Sequence, residues 1–228
     1  MKIYYDGLNL EKYSKNPIVS GFTTNCSFFS QNDIRNYREF YAKNKEFIGD
    51  KPISFQTWEN DEYGIKQIDD IHSINESIFV KIPIIDSNNK SNSDLIKYAL
   101  SRNIPVNITA IYTIAQLDII YSLIKDKTTN IIISVFGGPI SDTGIDPSPI
   151  IFYSKELFKT MENVEILWAG CRELYTITRA ELLGCDIITI PGDIIDKMNL
   201  KDYDLSLLSL ERVNKFRNDA IYGNISIL

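Results

Sequence analysis

The stretch FVKIPII, residues 79–85, sets a single lysine among apolar residues and a proline. Burying an ammonium there is costly unless it is paired or has lost its proton. Lys81 therefore has two readings. It is a strand-end side chain whose charge reaches out to water, or an amine kept neutral so that it attacks a carbonyl. The second reading asks for a proton carrier and for groups that hold hydroxyls. Asp6 follows KIYY; Thr23, Thr24 and Asn25 close GFTTN; Gln56 closes PISFQ; Asn107 and Thr109 lie in PVNITAI; Arg172 follows VEILWA. Neutral hydrogen-bonding side chains around one lysine, with one carboxylate opposite, suit Schiff-base chemistry. Asp6 would move protons during carbinolamine dehydration and carbon–carbon cleavage, and Asn25 and Asn107 would hold substrate hydroxyls. A polar site with some other purpose uses the same residue types.

These residues belong to eight short β-rich runs: KIYY (2–5), SGFTTN (20–25), PISFQ (52–56), IFVKIP (78–83), PVNITAI (105–111), NIIISVF (130–136), VEILWA (164–169) and DIITI (186–190). Amphipathic stretches such as SNSDLIKYALSRN, TIAQLDIIYSLIKD and ELYTITRAELLG lie between them, with Ser/Asn caps opening the first and Gly184 closing the third. Serial β–α units imply a parallel sheet. Runs as apolar as NIIISVF and VEILWA must be covered on both faces. The expected fold is α/β: a single-domain (β/α)8 TIM barrel over residues 1–228, with LSLERVNKFRNDA as an additional C-terminal helix. Such barrels need roughly 200 to 250 residues, and they build their sites where the strands end at their C-termini. The open doubly wound alternative lacks a GxGxxG after the first run.

Composition narrows the class. The chain has 228 residues, is 44% hydrophobic and 24% charged, and carries a net charge of −6. That balance speaks against a general nucleic-acid surface, while local cations can still hold a small anion. No leader opens the chain, and no apolar run approaches the roughly 18 residues a membrane span requires. Three cysteines without a regular framework fit a reducing, cytoplasmic setting. Cys26 and Cys171 fall near strand ends, close enough in pattern to meet at the barrel mouth, and Cys185 reads as core. The single histidine, His72, reads as the end of a surface helix and leaves a histidine metal triad without material.

Taken in order, YYDGLN, GFTTNCS, FVKIP, NITAIYTIAQ, VFGGPISDTGIDP and ILWAGCREL resemble the transaldolase and fructose-6-phosphate-aldolase-like family, over about residues 2 to 220. The length is similar to its short members. The resemblance implies a class I, metal- and cofactor-free mechanism. In it Lys81 is the Schiff-base lysine and Asp6 the acid/base, Asn25 and Asn107 bind hydroxyls, and Thr109 helps place a catalytic water. The implied partners are a ketose donor and an aldehyde acceptor, with a dihydroxyacetone unit passing between them. Short relatives form rings through the terminal helix, so a homo-oligomer is a further implication.

Three departures fall at the chemistry. Where family members carry a phosphate-binding arginine after the sixth strand, GGPI places Pro139. Where a serine is common after the seventh, Gly170 stands, while Arg172 remains. Gln56 and Phe136 are the non-ionisable members of the family's two proton-shuttle arrangements, and neither exchanges a proton at neutral pH. The site-residue expectation is thus Lys81, Asp6, Thr109 and Gln56 for catalysis, and Asn25, Thr24, Asn107, Phe136 and Arg172 for substrate. The substrate expected is a non-standard, unphosphorylated or larger sugar. The alternative is a catalytically silent barrel that binds a sugar or a partner protein.

Overall fold

The apolar runs form strands because both of their faces are buried. Ile131–Val135 and Ile187–Ile190 are buried at every position. In the computed structural model, which describes residues 1–227, the strands are β1 (Lys2–Asp6), β2 (Val19–Thr23), β3 (Ile53–Gln56), β4 (Phe79–Pro83), β5 (Val106–Ile111), β6 (Ile131–Val135), β7 (Val164–Trp168) and β8 (Ile187–Ile190). Each pairs in parallel with the next, and β8 returns to β1, closing an eight-stranded barrel. The TIM-barrel expectation holds, and each of the eight runs is a strand.

Helices alternate with the strands: α1 (Leu10–Ser14), α2 (Cys26–Gln31), α3 (Tyr37–Ile48), α4 (Asp61–His72), α5 (Ser93–Ser101), α6 (Ile114–Ile124), α7 (Gly137–Asp142), α8 (Ser148–Phe158), α9 (Tyr175–Leu182) and α10 (Gly192–Ile195). The local signals are visible. Thr113 and Gln116 form a reciprocal capping box that starts α6. In α5, Leu95, Ile96, Ala99 and Leu100 form the buried stripe. Several strands end before the sequence expectation: β6 stops at Val135, short of Phe136, and β7 at Trp168, short of Ala169. β2 stops at Thr23, and Asn25 is the N-cap of α2, its side chain accepting from the Phe28 N–H. A short cap residue with a free N–H three positions on favours the helix start over a longer strand.

The barrel interior is layered. Tyr4, Ile132, Leu167, Ala169 and Ile187 form an apolar cluster, with Phe79 and Phe136 packed against it. A polar row also crosses the interior. The Ser134 hydroxyl donates to Asn107 Oδ1 (2.7 Å), and Asn107 Nδ2 donates to Ser54 Oγ (3.1 Å). In a low-dielectric interior such a row is stable only because its members satisfy one another.

Strand β5 is irregular where it reaches the mouth. Its pairing with β6 shifts register between Ile108 and Ile111, and Ala110 within that interval has φ of +59°. An L-residue in the left-handed region costs about 1–2 kcal/mol, and bulges of this kind re-aim neighbouring side chains. Thr109 is the residue beside it.

The chain divides into two compact units, Met1–Ile195 and Asp196–Leu228. The second contains a short 3-10 turn (Met198–Leu200) and the 18-residue helix α11 (Leu205–Tyr222). Asp204 caps α11, accepting from the Ser206 and Leu207 N–H groups. Leu205, Val213, Phe216 and Tyr222 of this helix are exposed. Among the described residues, no helix is long and apolar enough to cross a membrane.

Candidate active site

Lys81 sits at the centre of β4, opposite Gln56 of β3 and Asn107 of β5. Its residue is 7% exposed. Its Nζ donates to the Thr24 carbonyl at 3.1 Å. Burial pushes the Lys81 amine down from its ordinary 10.5, against the opposing influence of Asp6 and of Cys26. The carboxyl of Asp6, at the end of β1, is pushed up by burial, with the Lys81 charge and the Thr23 O–H holding it back. Both groups thus move toward neutrality. A neutral amine beside a protonated carboxyl is the state in which one can attack a carbonyl and the other can donate a proton.

The remaining predicted residues fall into two sets. Gln56, Asn107 and Thr109 lie on the strands that flank or follow Lys81, and Asn25 follows directly on Thr24. Asn107 is fully buried and held at both ends by Ser54 and Ser134. The Thr109 hydroxyl is buried and makes no hydrogen bond among the described residues, an uncommon condition for a buried polar group. Thr24 contributes through its backbone, since its own hydroxyl donates to the Ser54 carbonyl (2.7 Å). Phe136 and Arg172 belong to the opposite side of the mouth. Phe136 lies just after β6, at the N-cap of α7 and not on the strand, and tilts against Tyr112 at 5.4 Å between ring centres. Arg172, after β7, directs Nε and Nη2 onto one oxygen of Asp142, at 3.1 and 2.8 Å.

Several contributors escaped the sequence reading. Thr189 on β8 hydrogen-bonds Thr23, which donates to Asp6; a lone threonine in the apolar run DIITI was the available signal. Tyr37, from α3, donates to the Gln56 carbonyl (3.0 Å) and stacks on Phe55. Beside it opens a groove of about 910 Å³ whose lining includes Cys26, Trp58 and Tyr63. Cys26, Cys171 and Cys185 are free thiols. Burial pushes Cys171 up to about 11 and Cys185 up to about 12, which leaves both inert as nucleophiles. His72 ends α4 as expected.

With this geometry in view, comparison with known proteins is decisive. The family model described as Transaldolase/Fructose-6-phosphate aldolase matches residues 3–221. The chain belongs to this family. It is 28% identical over 219 residues to a probable transaldolase of Methanococcus vannielii, covering 93% of this chain and 95% of that one. A probable transaldolase of Nitrosopumilus maritimus is 28% identical over 223 residues, 94% of each chain. One from Geobacter metallireducens is 29% identical over 202 residues, 87% of each. The protein is a transaldolase-family enzyme.

Within this transaldolase-family barrel, Pro139 and Gly170, distant in the sequence, share one space. Gly170 has φ of +74°, and a β-carbon placed on it would lie 2.5 Å from Cδ of Pro139. The Pro139 ring therefore fills the space a larger residue at 170 would need. The backbone is close as well: a β-carbon on Gly138 would meet the Gly170 carbonyl oxygen at 1.5 Å. Pro139 and Gly170 form a compact seam between β6 and β7, with no cation in it.

Proposed function

We propose that the enzyme forms an imine between Lys81 and the carbonyl of a ketose, and transfers or releases a dihydroxyacetone unit. The observation that carries this reading is the buried, neutral-tending amine of Lys81 facing the neutral-tending carboxyl of Asp6. The Lys81 nitrogen adds to the ketose carbonyl carbon. Asp6 then gives its proton to the departing hydroxyl, which leaves as water, and an iminium forms. The Asp6 carboxylate next takes the proton of the hydroxyl on the carbon beyond the scissile bond. That bond breaks, an aldehyde leaves, and the electron pair settles into an enamine on Lys81. An aldehyde acceptor reverses these steps, and water finally releases the product. Gln56 and Phe136 carry no exchangeable proton at neutral pH, so Asp6 is the proton carrier. Asn25 and Asn107 hold hydroxyls in this reading, and the free Thr109 hydroxyl orients the water. Self-association through the exposed apolar residues of α11 belongs to the same proposal.

Reduction with borohydride in the presence of dihydroxyacetone, fructose or fructose 6-phosphate, followed by mass spectrometry, tests it. The expected result is an adduct on Lys81 that is absent from Lys81→Met. Absence of adduct with all three carbonyl compounds rejects these ketoses and leaves either a different ketose or a silent sugar- or partner-binding barrel, of which an ordinary Lys81 pKa selects the silent one.

The substrate proposed is a sugar without a phosphate on the β6–β7 side. Pro139 brings no charge, and Arg172 is engaged by Asp142. Asp142→Asn frees the guanidinium. It is expected to improve kcat/KM for a phosphorylated acceptor by about two- to fivefold relative to its unphosphorylated counterpart, the scale of an exposed ion pair. An unchanged ratio sinks the idea that this pair sets the preference.

A further inference from the structure

Asp6 must be stable in two protonation states, and three strands supply groups that bear on both. The Thr23 hydroxyl on β2 donates to Asp6 Oδ1 at 2.7 Å. The same hydroxyl is hydrogen-bonded to the Thr189 hydroxyl on β8. Thr189 in turn reaches the backbone carbonyl of Tyr4 on β1 at 3.5 Å. Both threonines are buried.

A hydroxyl has one proton to give and lone pairs to receive, so the row has two complete arrangements. With Asp6 ionised, Thr189 donates to Thr23 and Thr23 donates to Asp6. With Asp6 protonated, its O–H donates to Thr23, Thr23 donates to Thr189, and Thr189 donates to the Tyr4 carbonyl. No proton leaves the row; each hydroxyl rotates, and no donor is left unmatched in either state.

We propose that Thr23 and Thr189 form a reversible hydroxyl chain that serves Asp6 in both its ionised and its protonated form. The Tyr4 carbonyl is its fixed terminus. Thr189 is a positioning residue: it acts on Asp6 only through Thr23. The inference rests on Asp6 being the proton carrier of the proposed reaction. Apart from Lys81 on β4, the titratable groups around Asp6 are Tyr5 on its own strand and, acting on Tyr5, Tyr13 and Lys12 of α1. Cys26 of α2 acts on Lys81. From β2 the Thr23 hydroxyl faces the carboxyl, and from β8 the Thr189 hydroxyl stands behind it.

The two ends of the chain make opposite predictions. Thr23→Val removes a donor to the carboxylate and moves the Asp6 pKa up. Thr189→Val leaves that donor in place but strands the Thr23 proton when Asp6 is protonated on Oδ1, the oxygen facing Thr23. It therefore penalises the acid form and moves the pKa down. The readout is the titration of the Asp6 carboxyl carbon by 13C NMR of aspartate-labelled protein, assigned with Asp6→Asn. Turnover and borohydride trapping on Lys81 are followed in parallel. Each valine variant is expected to lose roughly tenfold in kcat, one hydrogen bond's worth, and to keep the Lys81 adduct. Thr23→Ser and Thr189→Ser are expected to restore the wild-type titration. Should a valine variant fail to fold, the alanine variant at the same position makes the same prediction. A Thr189→Val or Thr189→Ala pKa that stays in place or rises overturns the chain, as does failure of the serine variants to restore it. A wild type that forms no adduct overturns the Schiff-base reading instead, and the opposed NMR shifts still decide the chain.

Discussion

Lys81→Met is expected to be inactive and more stable than the wild type. The loss of turnover should reach roughly four powers of ten or more, because the proposed nucleophile is gone. The gain in stability follows from the titration of the pair. Lys81 has a folded pKa below its unfolded value near 10.5. Between those two values the unfolded chain holds a proton that the native protein lacks, so native stability rises with pH across that window. Below it the amine is charged in both states, and the full cost of burying that charge weighs on the fold. Asp6 works with the opposite sign. Its folded pKa lies above 3.8, so its contribution to stability falls as pH rises through the interval from 3.8 to that folded value. Removing one partner of a charged buried pair would strand the other charge. Here both groups tend to neutrality, and without Lys81 the Asp6 carboxyl is held neutral to still higher pH. With Asp6 protonated the variant strands no charge, and a rise in melting temperature at neutral pH is expected. The advantage should shrink as pH approaches 10.5. Denaturant midpoints at several pH values decide it: a variant less stable at every pH means that Lys81 is charged and paired in the native state.

The second large effect is expected from restoring the serine common in the family. Gly170→Ser places a side chain on a backbone with φ of +74° and drives its β-carbon to within 2.5 Å of Pro139 Cδ. Left-handed strain contributes about 1–2 kcal/mol and overpacking about 1–3 kcal/mol, so a loss of about 2–5 kcal/mol is expected. Pro139→Arg in the same chain removes the ring and should recover the packing share while leaving the backbone share. The double-mutant cycle therefore has a non-zero coupling in a defined direction. Strict additivity of the two substitutions would show that the seam is not one unit.

How much of this was legible beforehand depended on whether the signal lay within a few residues. Ile131–Val135 and Phe79–Pro83 declare themselves as strands because an apolar run flanked by turn residues has few other ways to bury itself. Lys81, Asn107 and Thr109 are conspicuous because each interrupts such a run. The role of Asn25 as a cap was less visible, since GFTTN reads equally well as a strand carried two residues further. The side chain of Thr24 gave no hint that it would bond the Ser54 carbonyl and leave its own carbonyl to Lys81. The pairing of Arg172 with Asp142 spans 30 residues and joins the end of α7 to the segment after β7, and no local pattern encodes it. The same is true of Pro139 against Gly170, which look independent in the sequence and share one space in the fold. Contacts between loops are set by where the strands end, which is the least certain part of any reading by pattern.

Under the proposed function, the Arg172–Asp142 pair also bears on how molecules arrive. A cation at the rim of a barrel normally acts as a beacon, drawing anions from solution before any contact is made. Here that beacon is cancelled by the carboxylate it touches, and the chain as a whole carries a charge of −6. A negatively charged sugar approaching from a distance meets a repulsive field and no local reward until the pair opens. An uncharged sugar meets neither. In the proposed reading, discrimination between the two begins in the diffusional encounter, as a difference in arrival rate that dissolved salt screens beyond about 8–10 Å.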